Sequence, residues 1–132
     1  PINVDDWDWK EGTELGVMGR GFADAEPYAR IPMRAKGVIA DRLVGMGQQG
    51  TGVFVDFTTD SNRLALIWDI KDAAATDAKL SPTGLYGIDL YTKEPGSQTW
   101  KFVTVGRVRN SKEGHLHNEM TIKWTPGATG RV

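Results

Sequence analysis

The fold class is decided by the stretch TGVFVDFTTDSNRLALIWDI, residues 51–70. Within residues 51–58 every second side chain is apolar, which is the periodicity of a half-buried β-strand. Residues 63–70 alternate in the same way, and the polar residues 59–62 between the two runs are turn formers. The stretch therefore predicts a β-hairpin.

Further alternating runs on both sides of this hairpin predict an all-β fold. Strands are predicted at residues 85–92, 100–109 and 115–125, with turns between them. Earlier in the chain, Leu15 and Val17 start a strand and residues 38–44 form another. Some seven strands at this spacing are typical of a β-sandwich or jelly roll.

A chain of 132 residues has the length of one domain, and we expect a single β-sandwich over residues 1–132. Its last residues, 125–132 (TPGATGRV), have the composition of a turn that leads into a strand. This ending leaves open whether the sandwich lacks its last strand, and it favours a piece of a longer polypeptide.

Composition excludes several classes of function. Sixteen Lys and Arg residues against seventeen Asp and Glu residues give a net charge of −1, so we expect no nucleic-acid partner. No apolar run approaches the roughly 20 residues of a membrane-spanning helix, so we expect no membrane partner. Because the chain has no cysteine, disulfides, thiolate zinc sites and cysteine nucleophiles are excluded.

The sequence indicates neither a catalytic serine nor a dinucleotide-binding loop. None of the four serines lies in a Gly-x-Ser-x-Gly elbow, so we expect no catalytic residue in this chain. Residues 45–50 (GMGQQG) match the dinucleotide-binding pattern GxGxxG, but a predicted strand follows them where that motif requires a helix. We therefore expect a flexible glycine loop.

A metal site is the alternative explanation for one strand face. His115, His117 and Glu119 alternate onto the same face of the run at residues 115–125. Two histidines at this spacing can chelate zinc, although another strand must supply a further ligand. We favour a solvated polar face, and we expect neither a metal nor another cofactor.

Tryptophans are candidates for binding sugars. Trp7 and Trp9 lie two residues apart among aspartates, and Trp100 follows a predicted turn. Aromatic rings beside hydrogen-bonding groups hold sugars by stacking, whereas the alternative for Trp7 and Trp9 is packing onto the sandwich. Trp68 and Trp124 lie on apolar strand faces and are predicted to be core residues.

Asp89 interrupts the apolar run GIDLY at residues 87–91. A carboxylate inside a strand is costly unless it is paired or hydrogen-bonded. We expect either a structural ion pair or a ligand contact, and the possible partners are Arg30, Arg34, Arg42 and Arg63.

The run GIDLY resembles the GxDLY motif, the hallmark of a domain at the N-terminus of bacterial SGNH/GDSL-type hydrolases. Other segments agree in order with that family over residues 7–109. They are LGVMGRGF (15–22), YARIP (28–32), the Thr-Gly pairs at 51–52 and 83–84, and Trp100.

This resemblance implies a jelly-roll β-sandwich joined to a downstream α/β esterase domain. It implies secreted or periplasmic parent proteins that hydrolyse acyl esters, with acylated carbohydrates as the expected substrates. The catalytic Gly-Asp-Ser and Asp-x-x-His blocks belong to that second domain, so only Asp89 and Tyr91 carry over, as motif positions.

Three functions follow from the sequence. In the first, the chain is a non-catalytic accessory domain that packs on the downstream esterase domain and helps to shape substrate binding. Its candidate substrate-binding residues are Trp7, Trp9, Asp89, Tyr91 and Trp100. The second is a stand-alone carbohydrate-binding module, and the third is a metal-dependent jelly-roll enzyme that uses His115, His117 and Glu119.

Overall fold

The computed structural model describes residues 2–70, 86–107, 116–123 and 130–131. In these residues strands outnumber helical segments and every sheet pairing is antiparallel, which confirms the all-β fold class. The jelly-roll arrangement stays a prediction. The strands are β1 (Val17–Met18), β2 (Phe54–Val55), β3 (Thr58–Thr59), β4 (Arg63–Ile70), β5 (Ile88–Thr92), β6 (Lys101–Gly106), β7 (Leu116–Lys123) and β8 (Gly130–Arg131).

The helical segments are short. They are the 3₁₀ turns Val4–Asp6 and Met33–Ala35 and the α-helices α1 (Gly12–Leu15) and α2 (Asp41–Met46). In the described parts of the chain, no helix is long and apolar enough to cross a membrane.

The chain divides into two compact units, and each is described by itself. Unit 1 comprises residues 1–8 and 58–132, and unit 2 comprises residues 9–57. The expectation of a single domain over residues 1–132 stays a prediction.

The longest ladder of unit 1 joins β4 to β7 over eight residue pairs, from Arg63 opposite Lys123 to Ile70 opposite Leu116. Alternation is confirmed along most of β7, where His117, Thr121 and Lys123 are exposed whereas Asn118 is only 2% exposed. In β4, by contrast, residues 64–68 are all half-buried, so burial does not distinguish the two predicted faces of that strand.

Strands β5 and β6 form the second ladder of unit 1, and its inner side contributes to a small core. Leu90 is 3% exposed, and Gly106 is buried. A Cβ atom on Gly106 would lie 2.7 Å from Cη2 of Trp68, so the indole ring packs directly on this backbone. The indole N–H of the half-buried Trp68 donates a hydrogen bond to the carbonyl of Tyr86 (3.1 Å).

The hairpin predicted for residues 51–70 is wrong. β2 pairs with β1, β3 pairs with β8, and β4 pairs with β7. Alternation along a strand specifies which side chains share a face, but it carries no information about which strand lies alongside. The two runs were correctly assigned as extended chain and wrongly assigned as partners.

The strand predicted at residues 38–44 is also wrong, because helix α2 begins at Asp41. An acidic residue in the first turn favours a helix electrostatically. The helix buries Val44 in unit 2, where Ala25 and Ala29 are also buried. A helix of six residues is too short for its periodicity to be distinguished from that of a strand.

We expect Gly106→Ala to destabilise the protein by about 1–3 kcal/mol, because the added methyl group requires Trp68 or Met120 to move. Urea unfolding followed by tryptophan fluorescence measures this loss. Gly21→Ala is the matched control, since open space surrounds its Cβ position. Equal stability of the two variants would show that the contact between Gly106 and Trp68 is not tight.

Candidate functional site

The GIDLY run forms the start of β5, and a β-bulge changes what lies opposite it. Leu90 faces Thr104 in the ladder, whereas its neighbour Tyr91 faces Phe102, so Val103 is an extra residue in β6. A bulge disrupts strict alternation and turns neighbouring side chains toward one side. Phe102 is thereby brought opposite Tyr91.

The bulge produces a surface of large apolar side chains, which we call the aromatic face. It consists of Tyr91, Trp100, Phe102 and Val103, which are 44%, 41%, 57% and 39% exposed. The rings of Tyr91 and Phe102 meet edge to face, with centroids 5.5 Å apart and planes at 70°. Large apolar groups clustered in this way are typical of interaction sites.

Charged groups of both signs lie on the β5–β6 hairpin. The ammonium group of Lys93 lies 4.9 Å from the centroid of the Trp100 ring, within cation–π range. Lys101 donates a hydrogen bond to Glu94 (2.7 Å), and this bond lowers the pKa of the Glu94 carboxyl. Asp89 is exposed as well.

Asp89 lies on the surface. It is exposed in β5, so its carboxylate does not carry the burial cost that would require an ion pair. Of the four arginines considered as partners, Arg34 pairs with Asp24 and Arg63 lies over Trp7. Asp89 thus stays a candidate for ligand or partner contact.

The β5–β6 hairpin carries three of the candidate residues named from the sequence, which are Asp89, Tyr91 and Trp100. Sequence reasoning missed Phe102 and Val103. Strict alternation put these two neighbours on opposite faces, and an inserted bulge residue leaves no local signal in such a pattern.

Trp7 lies in unit 1 and Trp9 in unit 2, and both are half-buried. The guanidinium group of Arg63, the first residue of β4, lies 4.4 Å from the centroid of the Trp7 ring. The backbone N–H of Ile2 donates to Glu119 of β7 (2.8 Å). The segment before Trp9 is thus attached to both strands of the long ladder, and one face of the Trp7 ring is covered.

His117 lies between two carboxylates on the polar side of the β4–β7 ladder. Its Nδ1 is 2.8 Å from Oδ1 of Asp69, directly across the ladder, and its Nε2 is 3.4 Å from Oε1 of Glu119. The hydrogen bond with Asp69 is the largest cause that raises the pKa of His117 above its ordinary value. His117 and Asp69 are exposed, as expected for a solvated polar face.

The predicted metal candidate is only partly described, since His115 lies outside the described residues. Among the described side chains, no group of three or more His, Cys, Asp or Glu residues has an arrangement that could hold a metal ion. Asp69, His117 and Glu119 instead form a cross-strand ion-pair cluster when the imidazole is protonated.

The loop predicted for residues 45–50 is only partly confirmed, because Gly45 and Met46 end helix α2 and only residues 47–50 form the turn that follows it. This turn is anchored to Arg30. The guanidinium group of Arg30 donates to the carbonyls of Gln49 (3.0 Å) and Met46 (3.2 Å), and its backbone N–H donates to Gly47 (2.7 Å). Helix α2 ends at the start of this loop, whereas phosphate binding requires a helix that begins there.

A comparison with protein-family models gives one finding. The model described as GxDLY, N-terminus of Esterase_SGNH_hydro-type, matches residues 7–125. No curated protein and no solved structure matches the chain significantly.

We expect Asp69→Asn to lower the pKa of His117, which NMR titration of the imidazole measures. Because the pKa of folded His117 is raised, the Asp69 interaction stabilises the protein fully below pH of about 6.5 and is lost as the pH rises through the folded pKa. For an exposed pair the gain at pH 5 is at most about 1 kcal/mol. Asp60→Asn is the control, and an unchanged His117 titration in Asp69→Asn would refute the assignment.

Arg30→Lys is expected to loosen the glycine loop, since an ammonium group cannot reproduce the forked contact with two carbonyls. Each lost hydrogen bond costs about 1 kcal/mol, and amide hydrogen exchange at residues 45–50 is expected to accelerate. Arg42→Lys, on the exposed side of α2, is the matched control. Equal exchange in both variants would mean that Arg30 does not hold the loop.

Proposed function

The chain belongs to the GxDLY family, the N-terminus of SGNH hydrolase-type esterases, and we propose that it serves such an esterase as a non-catalytic accessory domain. In this function it packs on a catalytic domain of the same polypeptide and helps to shape the region where the substrate binds. The catalytic serine, aspartate and histidine belong to that second domain.

One observation carries the proposal: the family match extends over residues 7–125 and includes the motif Gly87–Tyr91. The geometry supports it, because Asp89 and Tyr91 are exposed in β5 rather than used to fill the core. A motif whose polar and aromatic members both face outward is available for contact with another molecule or domain.

The substrate class that we propose is an acylated carbohydrate, and the proposed location of the parent enzyme is secreted or periplasmic. The exposed ring of Trp100 and the half-buried ring of Trp7 are the candidates for stacking on sugar rings. Trp9 and Asp89 are the further candidate substrate-binding residues.

A stand-alone carbohydrate-binding module is the second candidate function. The observation that favours it is the exposure of three aromatic rings, Tyr91, Trp100 and Phe102, on one hairpin. In that case the isolated chain would bind glycans without any attached enzyme. The metal-dependent alternative has less support, since both ring nitrogens of His117 already lie beside carboxylates.

The test is to express the complete reading frame that contains this chain, the catalytic domain without residues 1–132, and this chain alone. We expect the complete protein to hydrolyse 4-nitrophenyl acetate and an acetylated polysaccharide, and the chain alone to hydrolyse neither. Removal of residues 1–132 should reduce kcat/KM at least about 10-fold for the polysaccharide and much less for the small ester.

A catalytic-site variant, Ser→Ala in the Gly-Asp-Ser block of the second domain, controls for contaminating esterases. A reading frame without an SGNH domain, or esterase activity in the chain alone, would contradict the accessory function. If no catalytic domain is encoded and the chain binds glycans, the second candidate replaces it.

A further inference from the structure

We propose that the aromatic face of the β5–β6 hairpin is the surface that docks on the catalytic domain. This inference rests on the proposed function, and it assigns Tyr91, Phe102 and Val103 to contact between domains rather than to contact with sugar.

The bulge brings the side chain of Phe102 to the surface of the sheet. Without the extra residue Val103, regular pairing would put Phe102 on the side of Leu90, which is buried. The bulge interrupts the ladder and leaves Phe102 57% exposed against the ring of Tyr91. Bulges re-aim side chains at functional positions, and this one places a large apolar ring where a partner can cover it.

The ring geometry and the charges at the aromatic face indicate a protein partner rather than a sugar. Tyr91 and Phe102 meet at 70°, so their rings offer no common plane for a sugar, and Lys93 lies over the Trp100 ring. Aromatic side chains that form an uneven apolar surface are typical of the centre of a protein–protein interface. The charged residues on the same side of β5 as Tyr91 are Asp89 and Lys93, which carry opposite signs. This mixture suits the polar rim of a protein interface better than a polyanion or an anionic membrane.

The area of the proposed docking surface suits a domain of the same polypeptide. Tyr91, Phe102 and Val103, each about half exposed, offer on the order of 300 Å². Each partner in a stable complex of two separate proteins contributes about 800 Å². The aromatic face is therefore too small to hold a freely diffusing partner, but it suffices for a domain on the same polypeptide, whose effective concentration is in the millimolar range.

Cysteine labelling tests the docking surface, because the chain has no cysteine of its own. Phe102→Cys is introduced into the chain alone and into the complete protein, with native cysteines of the second domain replaced by serine. We expect maleimide to react at position 102 at least about 10-fold more slowly in the complete protein. Phe54→Cys is the matched control, since Phe54 is also a strand phenylalanine and is 53% exposed; its labelling rate should not change.

Hydroxyl-radical footprinting of the unmodified proteins provides a second measurement that needs no variant. Tyr91 and Phe102 should be protected in the complete protein and oxidised in the chain alone. Equal labelling and equal oxidation in both proteins would overturn the docking surface while leaving the accessory function intact. Protection that requires added acetylated polysaccharide would overturn it in favour of sugar binding, whereas a reading frame without an SGNH domain refutes the proposed function itself.

Discussion

Unit 1 depends on the packing of one side chain, the indole of Trp68. Its ring lies against the backbone of Gly106, and its N–H holds the carbonyl of Tyr86. Tyr86 has a φ of 54°, a left-handed conformation that costs a non-glycine residue about 1–3 kcal/mol. The hydrogen bond and the burial of the ring offset that cost, and together they position the start of the GxDLY strand relative to β4.

Because the start of β5 is fixed by Trp68, successive residues of the GxDLY motif alternate between the core and the surface. The inner side of β5 carries Leu90, which serves the core, so Asp89 and Tyr91 necessarily face outward. The bulge then adds Phe102 to the outer side. Substitutions at Leu90 should consequently act through folding, whereas those at Asp89, Tyr91 and Phe102 can change recognition while the core stays intact.

Periodicity predicted the part of the fold that depends on single strands. The faces of β7 follow from alternation, since burial of one side determines which residue types are tolerated there, whereas residues 64–68 of β4 are all half-buried. Strand partners were not predictable, because β4 and β7 are separated by roughly fifty residues and the pairing signal is not local. The short helix α2 was missed for lack of length.

In the candidate site, too, the features of single residues and strands were predictable, whereas those that depend on strand pairing were not. Asp89, Tyr91 and Trp100 carry a recognisable motif or an unusual residue type, and all three are exposed. Phe102 had no distinguishing feature within an alternating strand, and the register shift between Leu90 and Tyr91 places it opposite Tyr91 on the exposed side. The face of a residue near a bulge is thus a property of the pair of strands.

The distribution of apolar residues connects the fold to the proposed function. In the described parts of the chain, the buried apolar residues are Ala25, Ala29, Val44 and Leu90, so three of the four are no larger than valine. Larger side chains such as Phe102 are exposed. Native domains are stable by only about 5–15 kcal/mol, so the burial of even one or two large apolar side chains is a substantial contribution. If the proposed docking occurs, covering the aromatic face would therefore stabilise the accessory domain as well as place it beside the substrate.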